Sequence, residues 1–220
     1  MAWNMVAMAL LFSLAGAGML YTAEHAVRNA VCEDALRLPS IPMGAVCAAM
    51  LVTNVASAVL LSRFYQLSGP DIARTLLTLS LLWACAWADA RAYLIPNRVL
   101  WQGVLGGVIL LTVRLLAEPG YAVYHLVNRA GAMLLLFVVS GVCRLISPRA
   151  VGMGDVKLLA VMGLCLGMNL VWSALFWSFG VLFVVCLGLL AAKKVKRSDS
   201  IPFAPALLAG TVLAVVLTGI

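Results

Sequence analysis

Eight long apolar runs make up most of this chain, at residues 3–23, 43–62, 74–90, 98–117, 126–146, 155–168, 170–192 and 202–219. They are continuous rather than alternating every second residue, which selects helices over strands. Of the 220 residues 65% are hydrophobic and 10% charged. A soluble domain is nearer half and a quarter. One aqueous core cannot hide so much apolar surface. It must face lipid, where only helices and closed barrels satisfy the backbone. The expectation is an all-α, polytopic transmembrane helical bundle of about eight spans, with the lipid bilayer as its first partner. The sixth run is short for a span, and the turn after it, near Gly167-Met168-Asn169, is weakly marked. The stretch from Trp3 to Leu20 lacks a basic segment before it and reads as a membrane helix, not a signal peptide. Without internal repeats or a soluble insertion, residues 1–220 form a single membrane domain. Its first 73 residues supply the N-terminal spans and residues 74–220 the remainder.

The net charge of +7 does not point to nucleic acid. Basic residues stand at the ends of apolar runs, with one cluster at Lys193-Lys194-Val195-Lys196-Arg197, and no stacking aromatics are interleaved with them. The placement is a topology signal. With the N-terminus outside, one side receives Arg28, Arg37, Arg91, Arg98, Arg144, Arg149, Lys157, Lys193, Lys194, Lys196 and Arg197, and the other Arg63, Arg74, Arg114 and Arg129. Eleven against four makes the richer side cytoplasmic and puts both termini outside the cytoplasm. The six cysteines contain no Cys-x-x-Cys pair, and five lie inside apolar runs. They read as small buried side chains rather than metal ligands or a disulfide framework.

Of eight acidic residues, six fall in expected loops and read as solvated charges: Glu24, Glu33, Asp34, Asp71, Glu118 and Asp199. Asp89 and Asp155 differ. Asp89 closes the run Leu76 to Ala88, and Asp155 opens the run Val156 to Leu166. A carboxylate at membrane depth costs about 2.5–3.5 kcal/mol and usually marks function. The predicted topology puts both at cytoplasmic helix ends, where they can meet, share a proton and activate a water. A lone Asp at such a place is most simply a cap or interfacial anchor; two on one face, each in an unusual turn, are harder to explain that way.

The turns have their own physics. Pro96 has no backbone donor and drives Ile95 out of helical geometry, so the helix carrying Asp89 must stop before it. Asn97 is then placed to cap the next helix. Gly152 and Gly154, ahead of Asp155, allow close backbone approach and positive φ. A third stretch, Ile201-Pro202-Phe203-Ala204-Pro205, opens the last run on the same side. Prolines are tolerated in a first turn, where backbone donors lack intrahelical partners.

Together these stretches resemble the prepilin peptidases, the type IV leader peptidases of bacterial membranes. That family pairs an Asp followed by an Ile/Leu-Pro-Asn/Asp turn with a second Asp in Gly-x-Gly-Asp-x-Lys-Leu. Here these stand as Asp89 with Ile95-Pro96-Asn97 and as Gly152-Met153-Gly154-Asp155-Val156-Lys157-Leu158, and the family's late Ile-Pro-Phe-x-Pro matches residues 201–205. The resemblance covers roughly residues 74–220 by motif and the first 73 by topology only. It implies Asp89 and Asp155 as the catalytic pair. Ile95, Pro96, Asn97, Gly152, Gly154, Lys157, Pro202, Phe203 and Pro205 would shape the site. It also implies no metal and no other cofactor, a prepilin or pseudopilin substrate of a type IV pilus or secretion system, and residence in the bacterial inner membrane with the site facing the cytoplasm. One departure stands out: full-length members carry a cytoplasmic domain after the first span, often with two Cys-x-x-Cys pairs, linked to N-methylation of the product. Here the loop from about Glu24 to Pro42 holds only Cys32, as in a compact, peptidase-only branch.

The family comparison implies hydrolysis through a water, one Asp acting as base and the other protonating the carbonyl oxygen. Asp155, at a helix N-terminus, is the expected base; Asp89, at a C-terminus, is the expected acid. Two other classes remain open. A transporter or assembly factor could use both Asp residues for ion coupling, although such sites usually lie at midplane in broken helices. Another Gly-x-Gly-Asp protease, of the presenilin or signal-peptide-peptidase kind, would have Tyr before its first Asp, where Ala88 stands here.

Overall fold

The computed structural model describes residues 2–30, 42–147, 151–192 and 201–218. Cys32, Glu33, Asp34, Arg37, Arg149, the basic cluster at 193–197 and Asp199 lie outside the described residues. Among the described residues there are eight α-helices and no strand: α1 (Ala2–Ala30), α2 (Met43–Arg63), α3 (Gly69–Ala92), α4 (Asn97–Ala117), α5 (Ala122–Ile146), α6 (Met153–Leu166), α7 (Met168–Ala191) and α8 (Ala204–Thr218). A 3-10 turn, Pro119–Tyr121, leads into α5.

The eight helices match the eight apolar runs, but they are of two kinds. Five are long and apolar enough to cross a membrane: α1 from Asn4, α2, α4, the stretch Pro119–Ile146 and α7. The other three lie inside. Of the 24 residues of α3, 16 are buried, and of the 14 of α6, ten are. On α7, of equal length to α3, only four are. The packing follows: α3 touches α1, α2, α4, α6 and α8; α6 sits against α5, α4 and α3; α8 sits on α7 and α3. With 14 and 15 residues, α6 and α8 reach only about 21 and 23 Å, less than the ~30 Å of a hydrocarbon core.

Close approach replaces side-chain bulk where the inner helices meet their neighbours. A Cβ on Gly210 of α8 would lie 2.2 Å from the backbone N and Cα of Ser178 on α7, and one on Gly163 of α6 would lie 2.8 Å from the Ala132 backbone on α5. The weakly marked turn resolves at Gly167, whose φ of +78° and ψ of 175° belong to a region essentially reserved for glycine. That one residue reverses the chain. Asn128 Oδ1 accepts the Met168 N–H at 3.0 Å, and Arg74 Nη1 donates to the Leu166 carbonyl at 3.3 Å, so both helix ends at the turn are satisfied.

Cross-helix contacts group the helix ends into two sets. Glu24 meets Trp87 and Arg91, and Lys157 meets Asn97, at one end; Arg114 meets Ser68, and Tyr65 meets the Val216 carbonyl, at the other. Two acids expected in loops sit within helices. Glu24 lies in α1, accepting from Trp87 Nε1 at 3.0 Å and Arg28 Nε at 3.1 Å. Asp71 lies in the first turn of α3, paired with Arg74 at 3.2 Å. Both helices continue past their apolar runs because these partners satisfy the charges.

Candidate active site

Three inner helices meet at one end, and the motifs sit at that meeting. Asp89 occupies the last turn of α3 and is 6% exposed. Its Oδ2 accepts the backbone N–H of Ala204, the first residue of α8, at 2.9 Å, and the Phe203 N–H also bonds to this carboxyl. These donors are available because a helix's first N–H groups lack intrahelical partners. Pro202 and Pro205 flank them, and Phe203 packs its ring 6.1 Å from that of Phe179 on α7. The Ile-Pro-Phe-x-Pro stretch thus aims the start of α8 at Asp89.

Asp155 lies in the first turn of α6, and its Oδ2 accepts the Gly152 N–H at 3.1 Å. A Cβ on Gly152 would stand 2.9 Å from that same oxygen, so this position leaves room for the carboxyl. Gly152 does not use positive φ; it sits at −70°, 149°. Gly154 serves close approach too, but toward the protein's own chain: its Cβ would lie 2.9 Å from the Cβ of Ile95. The Ile95-Pro96-Asn97 turn therefore packs directly on the Gly-x-Gly-Asp turn. With Ile95 six residues after Asp89 and Gly154 next to Asp155, this contact brings the two carboxyl-bearing turns together, and buried Cys85 lies one turn before Asp89.

The α3 helix ends at Ala92, ahead of Pro96 as required, with Tyr93 left-handed at φ 50° and its N–H on the Asp89 carbonyl at 2.9 Å. A tyrosine in that region is uncommon and strained. Asn97 does not cap α4. Pro96 holds the cap position, and Asn97 Oδ1 instead accepts from Lys157 Nζ at 3.0 Å. Lys157 thereby gains a partner that its motif alone did not suggest. Arg91 turns from the carboxyls toward α1, stacked 3.8 Å over the Trp87 ring and 3.8 Å from Glu24.

One expectation changes. Asp155 stands at the N-terminus of its own helix, but Asp89 stands at the N-terminus of α8, so the helix dipole no longer distinguishes base from acid. The backbone donors of Phe203 and Ala204 left no trace in the sequence beyond the prolines beside them. Trp87 and Glu24 gave no signal at all. Beside the Ile95-Pro96-Asn97 turn a cleft of about 310 Å³ opens, lined also by Thr22, His25, Asn29 and Arg98. Among the described residues no three His, Cys, Asp or Glu side chains gather as a metal site.

Five helices of membrane length around two carboxyls, each tied to the start of a helix, make this an integral membrane protein of the helical-bundle class. The chain belongs to the type IV leader peptidase family, whose profile matches residues 76–216. It is 35% identical over 138 residues to the prepilin leader peptidase/N-methyltransferase of Bacillus subtilis (strain 168). That match covers 62% of this chain and spans about half, 52%, of the relative's length. No solved structure matches.

Proposed function

We propose that the chain is a membrane aspartic endopeptidase that removes the leader from type IV prepilins or pseudopilins. The observation that carries this is the convergence of Asp89 and Asp155 from helices 66 positions apart in sequence (155 minus 89) at one end of the inner helices, each carboxyl held by a backbone donor. Backbone donors fix one face of each carboxyl and leave the pair to handle protons. One Asp takes a proton from water as the oxygen attacks the scissile carbonyl, and the other gives a proton to the carbonyl oxygen. The resulting tetrahedral species collapses with cleavage of the C–N bond, the leaving nitrogen taking a proton from a carboxyl. No covalent enzyme intermediate is required. The charge bias of the chain supports a cytoplasmic aspartate end. A leader in the cytoplasm and a substrate helix in the bilayer would bring the scissile bond to this depth, with the cleft at Ile95-Pro96-Asn97 taking adjoining chain.

The test is co-expression with a candidate prepilin in a bacterium lacking its own leader peptidase, following pilin size by immunoblot. Cleavage by the wild type, and by neither Asp89→Asn nor Asp155→Asn, is expected. Cleavage by all three would make the aspartates structural. Failure of the wild type across several prepilins would return weight to an assembly or transport role.

A further inference from the structure

At the other end of the bundle stands a second polar cluster that hydrolysis does not use. On α3, Asp71 precedes Asp89 by 18 residues, about 27 Å along the axis. Arg74 of α3 and Arg114 of α4 pair with Asp71, and Arg129 of α5 packs beside Gly167, next to the Leu166 carbonyl that Arg74 bonds. Arg74 Nη2 lies 3.2 Å from Asp71; Arg114 Nη2 lies 3.2 Å from Glu118 and 3.9 Å from Asp71. His125 Nε2 takes the other Glu118 oxygen at 3.1 Å.

Arg129 is the exception in this cluster. It is 2% exposed, the largest fully buried side chain among the described residues, and it forms no hydrogen bond or ion pair among them. Its Nη1, together with the Nε of Arg74 and the Nε of Arg114, is a buried donor without an acceptor. Three guanidinium groups face two carboxylates, a surplus of one positive charge, and all three repel one another. A buried guanidinium whose donors meet no acceptor is costly, and at membrane depth such a residue usually serves a ligand or a partner. Unused donors from three helices suit a ligand with several oxygens around one centre, which guanidinium forks bind in pairs. A phosphate that keeps its net negative charge, as in an anionic phospholipid headgroup, is such a ligand at a helix end.

We propose that Arg74, Arg114 and Arg129 form a binding site for a phosphate group, borne by an anionic phospholipid headgroup or free in solution. The site is independent of the peptidase reading, since it is read by binding alone. Thermal unfolding of the full chain in detergent would be followed with added phosphatidylglycerol, phosphatidylcholine or inorganic phosphate, with lipid retention checked by native mass spectrometry. Phosphatidylglycerol is expected to raise the wild-type Tm by roughly 5 °C and to stay bound. Both effects should vanish in Arg129→Gln and in Arg114→Gln. An equal rise with inorganic phosphate would make the free anion the ligand; a rise with the lipid alone would make it the headgroup. If Arg129→Gln does not fold, Arg114→Gln decides, because its side chain is at the rim, 14% exposed. Equal rises with phosphatidylcholine and phosphatidylglycerol, no rise with any addition, or a rise that Arg114→Gln leaves intact would overturn the site.

Discussion

The inner helices α3, α6 and α8 and the outer helices α1, α2, α4, α5 and α7 are built from nearly the same apolar alphabet, yet they do different work. On α7 the large side chains Phe176, Phe179, Phe183 and Val184 are exposed, as a lipid-facing helix requires. On α3 the positions from Leu76 to Leu82 are buried without a break. Lipid tails are as apolar as a protein core, so inside and outside cannot be told apart by hydropathy in a membrane. The difference lies in what the inner helices touch. Both aspartates are on them, the backbone donors to Asp89 come from the start of one of them, and Gly163 and Gly210 on them meet neighbouring backbone. The outer helices supply walls, and the inner ones hold the carboxyls.

This contrast can be broken by substitution, and the largest effect should fall where backbone meets backbone. Gly210→Ala puts a Cβ 2.2 Å from the backbone of Ser178, and neither chain can yield cheaply. A stability loss toward the upper end of about 1–3 kcal/mol is expected in detergent unfolding. An unchanged midpoint would mean that α7 and α8 do not approach so closely. Next comes Gly154→Ala, which forces the Ile95-Pro96-Asn97 turn from the start of α6. Misplacing Asp155 by even a fraction of an ångström should lower prepilin cleavage by about tenfold or more while the protein still folds. A variant with full activity would show that the packing of the two turns does not position the carboxyl.

Lys157→Met removes the bond to Asn97, an exposed contact contributing ~1 kcal/mol or less. Cleavage should fall severalfold, and Asn97→Ala should reproduce that fall without adding to it when the two are combined. Smallest is the outer-helix control. At Gly188 of α7 an added Cβ meets nothing within 4 Å, so Gly188→Ala should be neutral or stabilising by up to about 1 kcal/mol. A destabilised Gly188→Ala would indicate a partner on that face.

The helix count and the shared end of Asp89 and Asp155 were legible in the sequence because apolar length and charge placement leave few alternatives. Pro96 announced the end of α3, and the glycines announced close approach, which at Gly154 is toward Ile95. Legibility ended where a residue's partner comes from a distant helix. Glu24 and Asp71 read as loop charges because Trp87 and Arg74 as partners cannot be inferred from spacing. Asn97 read as a cap because local rules favour it, and Lys157 outcompeted that role. The backbone N–H groups of Phe203 and Ala204, which every sequence possesses, could not be singled out at all.

The central claim is that Asp89 and Asp155 act as one unit, and a double-variant experiment tests it most directly. Asp89→Asn, Asp155→Asn and the double variant would be purified and their kcat measured on a synthetic prepilin. An asparagine oxygen at 89 can still accept the Ala204 N–H, so the fold should be retained. The account predicts that each single change lowers kcat by about a thousandfold or more, and that the double variant is no slower than either. Two losses that multiply, or a single variant within tenfold of the wild type, would contradict it.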